Sequence, residues 1–423
     1  MYIKIFQFIK KIFPFLLIFG IAKIIVYVVP LWLADILTKQ DYGIIEYALA
    51  GLGMLVSAGF GLGMSGAYPY FVLRKKDVES EKAFHIHPIW LLFIFVINQF
   101  LYYGLSLYNL KIYLALNFAY LVANQQFYST KLKSKESILK AVLVDSGIYF
   151  MLLFYIIGVI LQIIPAILES ISTIMFGYAF VYIFYGLYRF YKIDKENILK
   201  KYKEILQFSS HILLGSILIF AITVGGRIVV ERYFDDATIG IYGFYYRLAA
   251  VVVVIHQVVN IMFFKKIYTY NPKILDKYFS LFFIGIYVIS ISVYWILPFV
   301  LPQFSNYYRE TYQENKILFF ILSAQMLLWI ASALNSSIVD REGLAKKTNP
   351  FLLLLIGVGL LVIYMLKNQL TLSLLAFVHY SVFYITVLVQ YYNLYKKEIR
   401  FKKSIIVITI TYLISTLILF FLQ

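Results

Sequence analysis

Among the ionisable side chains inside apolar stretches of this 423-residue sequence, Lys23, Asp145, Arg227, Arg247 and His256 are the informative set. A charge at membrane depth costs a few kcal/mol, so it normally faces protein or a water-filled cavity and marks a pathway or a partner. Three of the five are permanent cations, which suits an anionic ligand. Lys23 sits at the middle of IFPFLLIFGIAKIIVYVVPLWLA (12–34), a stretch long enough to span a bilayer, which takes about 20 mostly apolar residues. Pro30 in the same stretch removes a backbone hydrogen bond and can kink the helix.

Each of these residues also has a plainer account. Arg227 and Arg247 lie several residues inside the outer ends of consecutive helices, where a structural ion pair or snorkelling competes with ligand contact. Glu231, one turn after Arg227, is an ion-pair candidate. Lys23 is too deep for snorkelling. Asp145, about two turns inside its helix, pairs most simply with Lys140 or another interfacial cation. His256 is first a packing residue and second a proton relay, although imidazole titrates near neutral pH and suits either. The expected ligand contacts are therefore Lys23, Arg227 and Arg247, and the expected ion-coupling residues are Asp145 and His256.

A polar stripe joins them. In LNFAYLVANQQFYST, Asn117, Tyr120, Asn124 and Tyr128 recur at helical spacing and share one face. Interhelical hydrogen bonds explain the stripe most cheaply. Contact of Asn117, Tyr120 and Asn124 with a hydroxylated ligand is the sharper reading. The run before it carries Gly51, Gly53, Gly59, Gly61, Gly63 and Gly66. Its Gly59–Gly63 pair predicts close helix packing.

These side chains need a membrane scaffold. The chain is 62% hydrophobic and 14% charged, against about 25% charged in soluble domains, which predicts an all-α polytopic membrane protein. Thirteen apolar runs are expected near 12–34, 44–68, 88–107, 111–130, 138–160, 171–190, 210–231, 239–263, 278–301, 316–339, 350–366, 371–392 and 404–422. With the last across the bilayer there are thirteen transmembrane helices, and with it on the surface twelve, an expectation of 12–13. The net charge of +17 does not indicate nucleic acid, because the basic residues sit between the runs. Alternate connections hold 29 and 6 Lys and Arg, which predicts a cytoplasmic N-terminus. The basic stretch YKIDKENILKKYKEILQFSSH (191–211) reads as amphipathic against anionic lipid.

The expected organisation is two six-helix bundles, 1–190 and 211–393, joined by a basic linker (191–210) and followed by a basic loop and a thirteenth helix (394–423). A shift of 197 residues places Asp41-Tyr42-Gly43-Ile44 on Thr238-Ile239-Gly240-Ile241, as expected of parallel internal repeats. There is no cysteine, and no nucleotide-binding or metal-ligating pattern. The outward connections are short for a catalytic module, so no enzyme is expected.

Three segments resemble the multidrug/oligosaccharidyl-lipid/polysaccharide exporter superfamily, and within it the Wzx-type flippases of O-antigen and capsule repeat units. They are the first helix with Lys23 followed by ADILTKQDYGIIEYALA (34–50), then ILIFAITVGGRIVVERYFDDATIGIYGFYYRLAAVV (217–252), and DREGLAKKTN (340–349). One departure is Gly226, where the family often has Asp before the arginine. The resemblance implies alternating-access transfer of an undecaprenyl-pyrophosphate-linked oligosaccharide across the bacterial inner membrane. H⁺ or Na⁺ would be the coupling ion, with no other cofactor. It also implies a polysaccharide polymerase and chain-length regulator as partners. The rival readings are a cation-coupled multidrug exporter of the same fold, a membrane-embedded polymerase or acyltransferase, and a non-transporting scaffold.

Overall fold

The computed structural model describes residues 2–135, 137–192, 197–259, 270–342 and 344–422. Lys195, Lys265 and Lys266, and the side chains of Lys4, Lys10, Lys11, Arg74 and Arg341, all counted in the charge pattern, lie outside the described set. The described residues are helical with no strand. Among the described residues, eleven helices are long and apolar enough to cross a membrane, or twelve if a bent pair is one span. The chain is an all-α polytopic membrane protein. Large apolar side chains such as Phe93, Phe184, Phe299 and Phe420 are 57–78% exposed, an arrangement that a hydrocarbon surrounding satisfies and water does not.

By contacts the chain forms two compact units, Met1–Phe220 and Ala221–Gln423. The first holds α1 (Tyr2–Ile36), α2 (Lys39–Glu46), α3 (Leu52–Phe60), α4 (Met64–Pro69), α5 (Val78–Ala83) and α6 (His87–Gln99). It continues with α7 (Leu110–Ser134), α8 (Ile138–Asp145), α9 (Gly147–Ile160) and α10 (Leu168–Tyr191), and takes in the first part of α11 (Ile198–Tyr233). The second unit holds the rest of α11, then α12 (Asp236–Ala249), which runs on through a 3₁₀ turn to Val259. After it come α13 (Pro272–Val300), α14 (Asn306–Arg341), α15 (Ala345–Met365), α16 (Leu372–Tyr395) and α17 (Lys402–Leu422).

Each unit is built around one enclosed helix. In the first it is α7, with 16 of 25 residues buried; its polar stripe keeps it out of the eleven most apolar spans. In the second it is α14, 78% buried over its apolar window. The elements also recur at intervals of 197 and 196 residues. Helices start at Lys39 and Asp236, and at Leu110 and Asn306. Thr38 caps α2 by accepting from the Asp41 N–H at 3.1 Å, and Asp235 caps α12 by accepting from the Thr238 N–H at 2.8 Å. The two caps use the same pair of residue types in opposite order.

Three expectations change. The second run is not one helix: it breaks at Leu62 and Gly63, whose φ values of 48° and 69° lie in the left-handed region, which glycine adopts without penalty. A Cβ at Gly63 would sit 2.6 Å from the Ser209 carbonyl, whereas one at Gly59 would meet nothing within 4 Å. The two glycines therefore do not form one packing face. The fifth run bends by 58° between α8 and α9, so Asp145 stands at a break rather than inside a continuous helix. Finally, the basic stretch after α10 does not lay its apolar face on lipid. Ile198, Tyr202, Ile205 and Ser209 are buried in the first unit, while Leu199, Lys200 and Lys203 face out.

A surface pair helps to hold that stretch. Lys201 lies 3.4 Å from Asp77 and 3.3 Å from Glu204. Burial pushes the Asp77 carboxyl up, but the Ser80 backbone N–H and hydroxyl and then Lys201 outweigh it and hold it below its ordinary value. Hydrogen bonds to Glu204 and Asp77 raise Lys201 above its ordinary value. The Asp77 contribution is present above the ordinary carboxylate value and is lost as pH falls through the depressed one. The Lys201 contribution is present below the ordinary lysine value and is lost as pH rises through the raised one. Such exposed pairs contribute about 0–1 kcal/mol each. Hydrogen exchange over 198–211, corrected for intrinsic rates, is expected to be slowest near neutral pH and faster in acid; a pH-flat profile would contradict this.

The last helix is fixed by one carboxylate. Asp276, at the start of α13, accepts from the Lys403 N–H at 3.0 Å and from the Ser404 N–H and hydroxyl at 2.8 and 2.7 Å. It thereby caps α17 from another helix. Asp276→Ala is expected to lower stability by about 2 kcal/mol, the upper range for a lost N-cap, and Asp276→Asn by less, both read from thermal unfolding in detergent.

Candidate functional site

The second unit brings four helices together around Arg227. This residue is 3% exposed, and its guanidinium lies 4.4 Å from the centre of the Tyr246 ring. Stacking on one face orients a guanidinium, and its edge N–H groups then lie in the plane that matches phosphate or carboxylate oxygens. The Tyr246 hydroxyl donates to the Thr223 carbonyl at 3.5 Å, so the ring is tied to the helix that carries the arginine. Arg247 is also buried, at 8% exposed.

Beside Arg227, His379 of α16 bridges three elements. Its Nε2 is 2.7 Å from the Ile222 carbonyl. A carbonyl only accepts, so Nε2 carries the proton. Nδ1 then accepts from the Tyr242 hydroxyl at 3.2 Å and from Gln325 Nε2 at 3.5 Å. Gly226 makes room for this: a Cβ there would overlap the Tyr242 hydroxyl and lie 2.9 Å from His379 Nδ1. The aspartate expected by resemblance at this position would not fit. Gly226 is a consequence of the Tyr242–His379 contact.

In the first unit Lys23 lies over the Phe19 ring at 5.5 Å and within electrostatic reach of Asp145 and Lys133. Asp145 itself pairs with Lys133 at 2.7 Å, with side chains 33% and 53% exposed. The plainer account of Asp145 therefore describes its position, with Lys133 in place of Lys140. Lys23 thus stands near this exposed pair.

The polar stripe is enclosed by protein. Asn117 Oδ1 accepts from Asn98 Nδ2 and Gln99 Nε2, both at 3.0 Å, and Tyr113 donates to Gln99 at 2.6 Å. Tyr120 packs on Phe95 with ring centres 4.8 Å apart. Asn124 donates back to the Tyr120 carbonyl at 3.0 Å. These three stripe residues are no more than 2% exposed, and Asn117 makes the interhelical hydrogen bonds. His256 of the second unit is buried edge-on to Trp329 at 5.8 Å, a packing position.

Sequence reasoning passed over His379, Gln325 and Tyr242. It also passed over Glu46, which is fully buried and accepts from the Tyr42 hydroxyl at 3.3 Å. His379 and Glu46 carried a usable signal, since each is ionisable and lies within an apolar run. A cavity of about 470 Å³ in the second unit is lined by Ile317, Leu374, Phe377, Thr416 and Phe420 among others. No charged residue lines it, so it does not suit an anion.

Comparison with known protein families, with curated proteins and with solved structures gave no match in any of the three.

Proposed function

We propose that this protein is a flippase for an undecaprenyl-pyrophosphate-linked oligosaccharide in a bacterial inner membrane, working by alternating access and not as an enzyme. The observation that supports this best is Arg227: a buried arginine, oriented by Tyr246 within an apolar helical unit, suits the oxygens of a pyrophosphate head. Lys23 and Arg247 supply further positive charge, and the exposed apolar surface suits a polyprenyl tail that stays in lipid. The resemblance of 34–50 and 217–252 to the Wzx-type flippases points the same way. A polymerase and a chain-length regulator are the expected partners, and H⁺ or Na⁺ the expected coupling ion.

Glu46 favours a second reading. A buried carboxylate in the first unit suits cation-coupled export of a cationic drug. The test is to delete the gene and locate lipid-linked glycan with an impermeant sugar-modifying probe. Glycan accumulating on the cytoplasmic leaflet, with surface polysaccharide lost and both restored by the intact gene, is the expected result. Normal sidedness in a strain without a redundant exporter, together with raised drug susceptibility, would replace the flippase by the exporter.

A further inference from the structure

A second group of cations lies in the first unit, where α5, α7 and α10 end near one another. Lys131 is 7% exposed, yet its ammonium is directed at His85 Nε2, 3.0 Å away, rather than at a carboxylate. The ammonium can only donate, so Nε2 accepts and the His85 proton sits on Nδ1. His85 is itself 4% exposed, and its Nδ1 has no acceptor among the described residues. The same holds for Arg189 Nε and the Tyr128 hydroxyl. Arg189 is within electrostatic reach of Lys131, His85 and Tyr128.

The acid within reach of this group is already engaged. Glu81 lies 2.8 Å from Lys135 and accepts from the Tyr68 hydroxyl at 3.5 Å. Lys131, Arg189 and Lys135 thus outnumber Glu81, the acid that acts on them, beside N–H and O–H donors that meet no acceptor among the described residues. A buried donor left unmade costs as much as a lost hydrogen bond, and a buried charge without a counter-ion costs more. Both costs vanish if an anion with several acceptor oxygens enters. Tyr185 and Tyr188, 47% and 53% exposed on the outer side of α10, are amphipathic residues suited to a membrane–water boundary.

We propose that Lys131, His85 and Arg189 bind a phosphate group, carried by an anionic lipid head or free in solution. This site is separate from Arg227 and independent of the transport reading. The experiment uses the purified full-length chain in two arms. Native mass spectrometry measures retention of phosphatidylglycerol against phosphatidylcholine, and calorimetry in lipid-free detergent measures inorganic phosphate. Arg189→Gln, at a partly exposed position that tolerates substitution, and Lys131→Gln are each expected to weaken binding roughly tenfold, the loss of one charge-assisted hydrogen bond. Lys396→Gln, in the second unit beside Tyr392, is expected to leave binding unchanged. Retention of the lipid with this variant pattern assigns a lipid head, and the same pattern for phosphate alone assigns a soluble ligand. No preference for either anion, or Arg189→Gln binding as tightly as the unaltered chain, would overturn the site.

Discussion

Under the proposed flippase function, Arg227→Ala is expected to reduce export of lipid-linked glycan by at least about tenfold per folded molecule, the effect of losing one charge-assisted contact to the proposed ligand. The substitution also removes the stacking on Tyr246, a contribution of about 2 kcal/mol when the pair is desolvated, so export has to be normalised to monodisperse protein. Arg227→Lys separates charge from shape. It keeps the cation and loses the planar edge, and an intermediate rate is expected. Export unchanged in Arg227→Ala at equal protein levels would remove this residue from ligand contact and leave the stacking as packing alone.

Gly226→Ala is expected to lower stability more than alanine at Gly225, Gly285, Gly357 or Gly359 of the same unit. The new Cβ would overlap the Tyr242 hydroxyl and press on His379 Nδ1, disturbing the bonds from Tyr242 and Gln325 to His379. Overpacking of this kind costs about 1–3 kcal/mol. A double-mutant cycle isolates the cause. Tyr242→Phe removes the overlapped oxygen, so the combination with Gly226→Ala should recover more than half of the loss in unfolding midpoint. Simple additivity of the two changes would mean that the overlap is not what requires glycine.

Apolar runs and their order were readable because a membrane-spanning helix writes its length directly into composition; every predicted run overlaps described helix. Interruptions were harder to see. The break at Gly63 depends on a left-handed backbone at two consecutive residues, and the bend after Asp145 is at Ser146-Gly147, neither of which changes local hydropathy. Side-chain partners were least readable. The place of Lys23 in its apolar stretch was legible, but its electrostatic neighbours, Asp145 and Lys133, come from other helices that the stretch does not name. The stripe on α7 was legible as a face; that it meets Asn98 and Gln99 depends on the register of α6 against α7, which no single-helix periodicity contains. His379 was missed for a similar reason. Its importance lies in contacts to residues 137 and 157 positions away.

The Asp276 cap has a consequence for biogenesis. Its donors on α17 lie 127 and 128 residues downstream, so at about 5–20 residues per second of synthesis the carboxylate waits roughly 6–25 s for them. Throughout that interval α13 carries a carboxylate whose capping donors have not been made, at the edge of a partly assembled unit. A chain arrested before residue 402 would keep that carboxylate uncapped permanently. The side chain that fastens α17 thus ties the assembly of this unit to the arrival of a helix made long after α13.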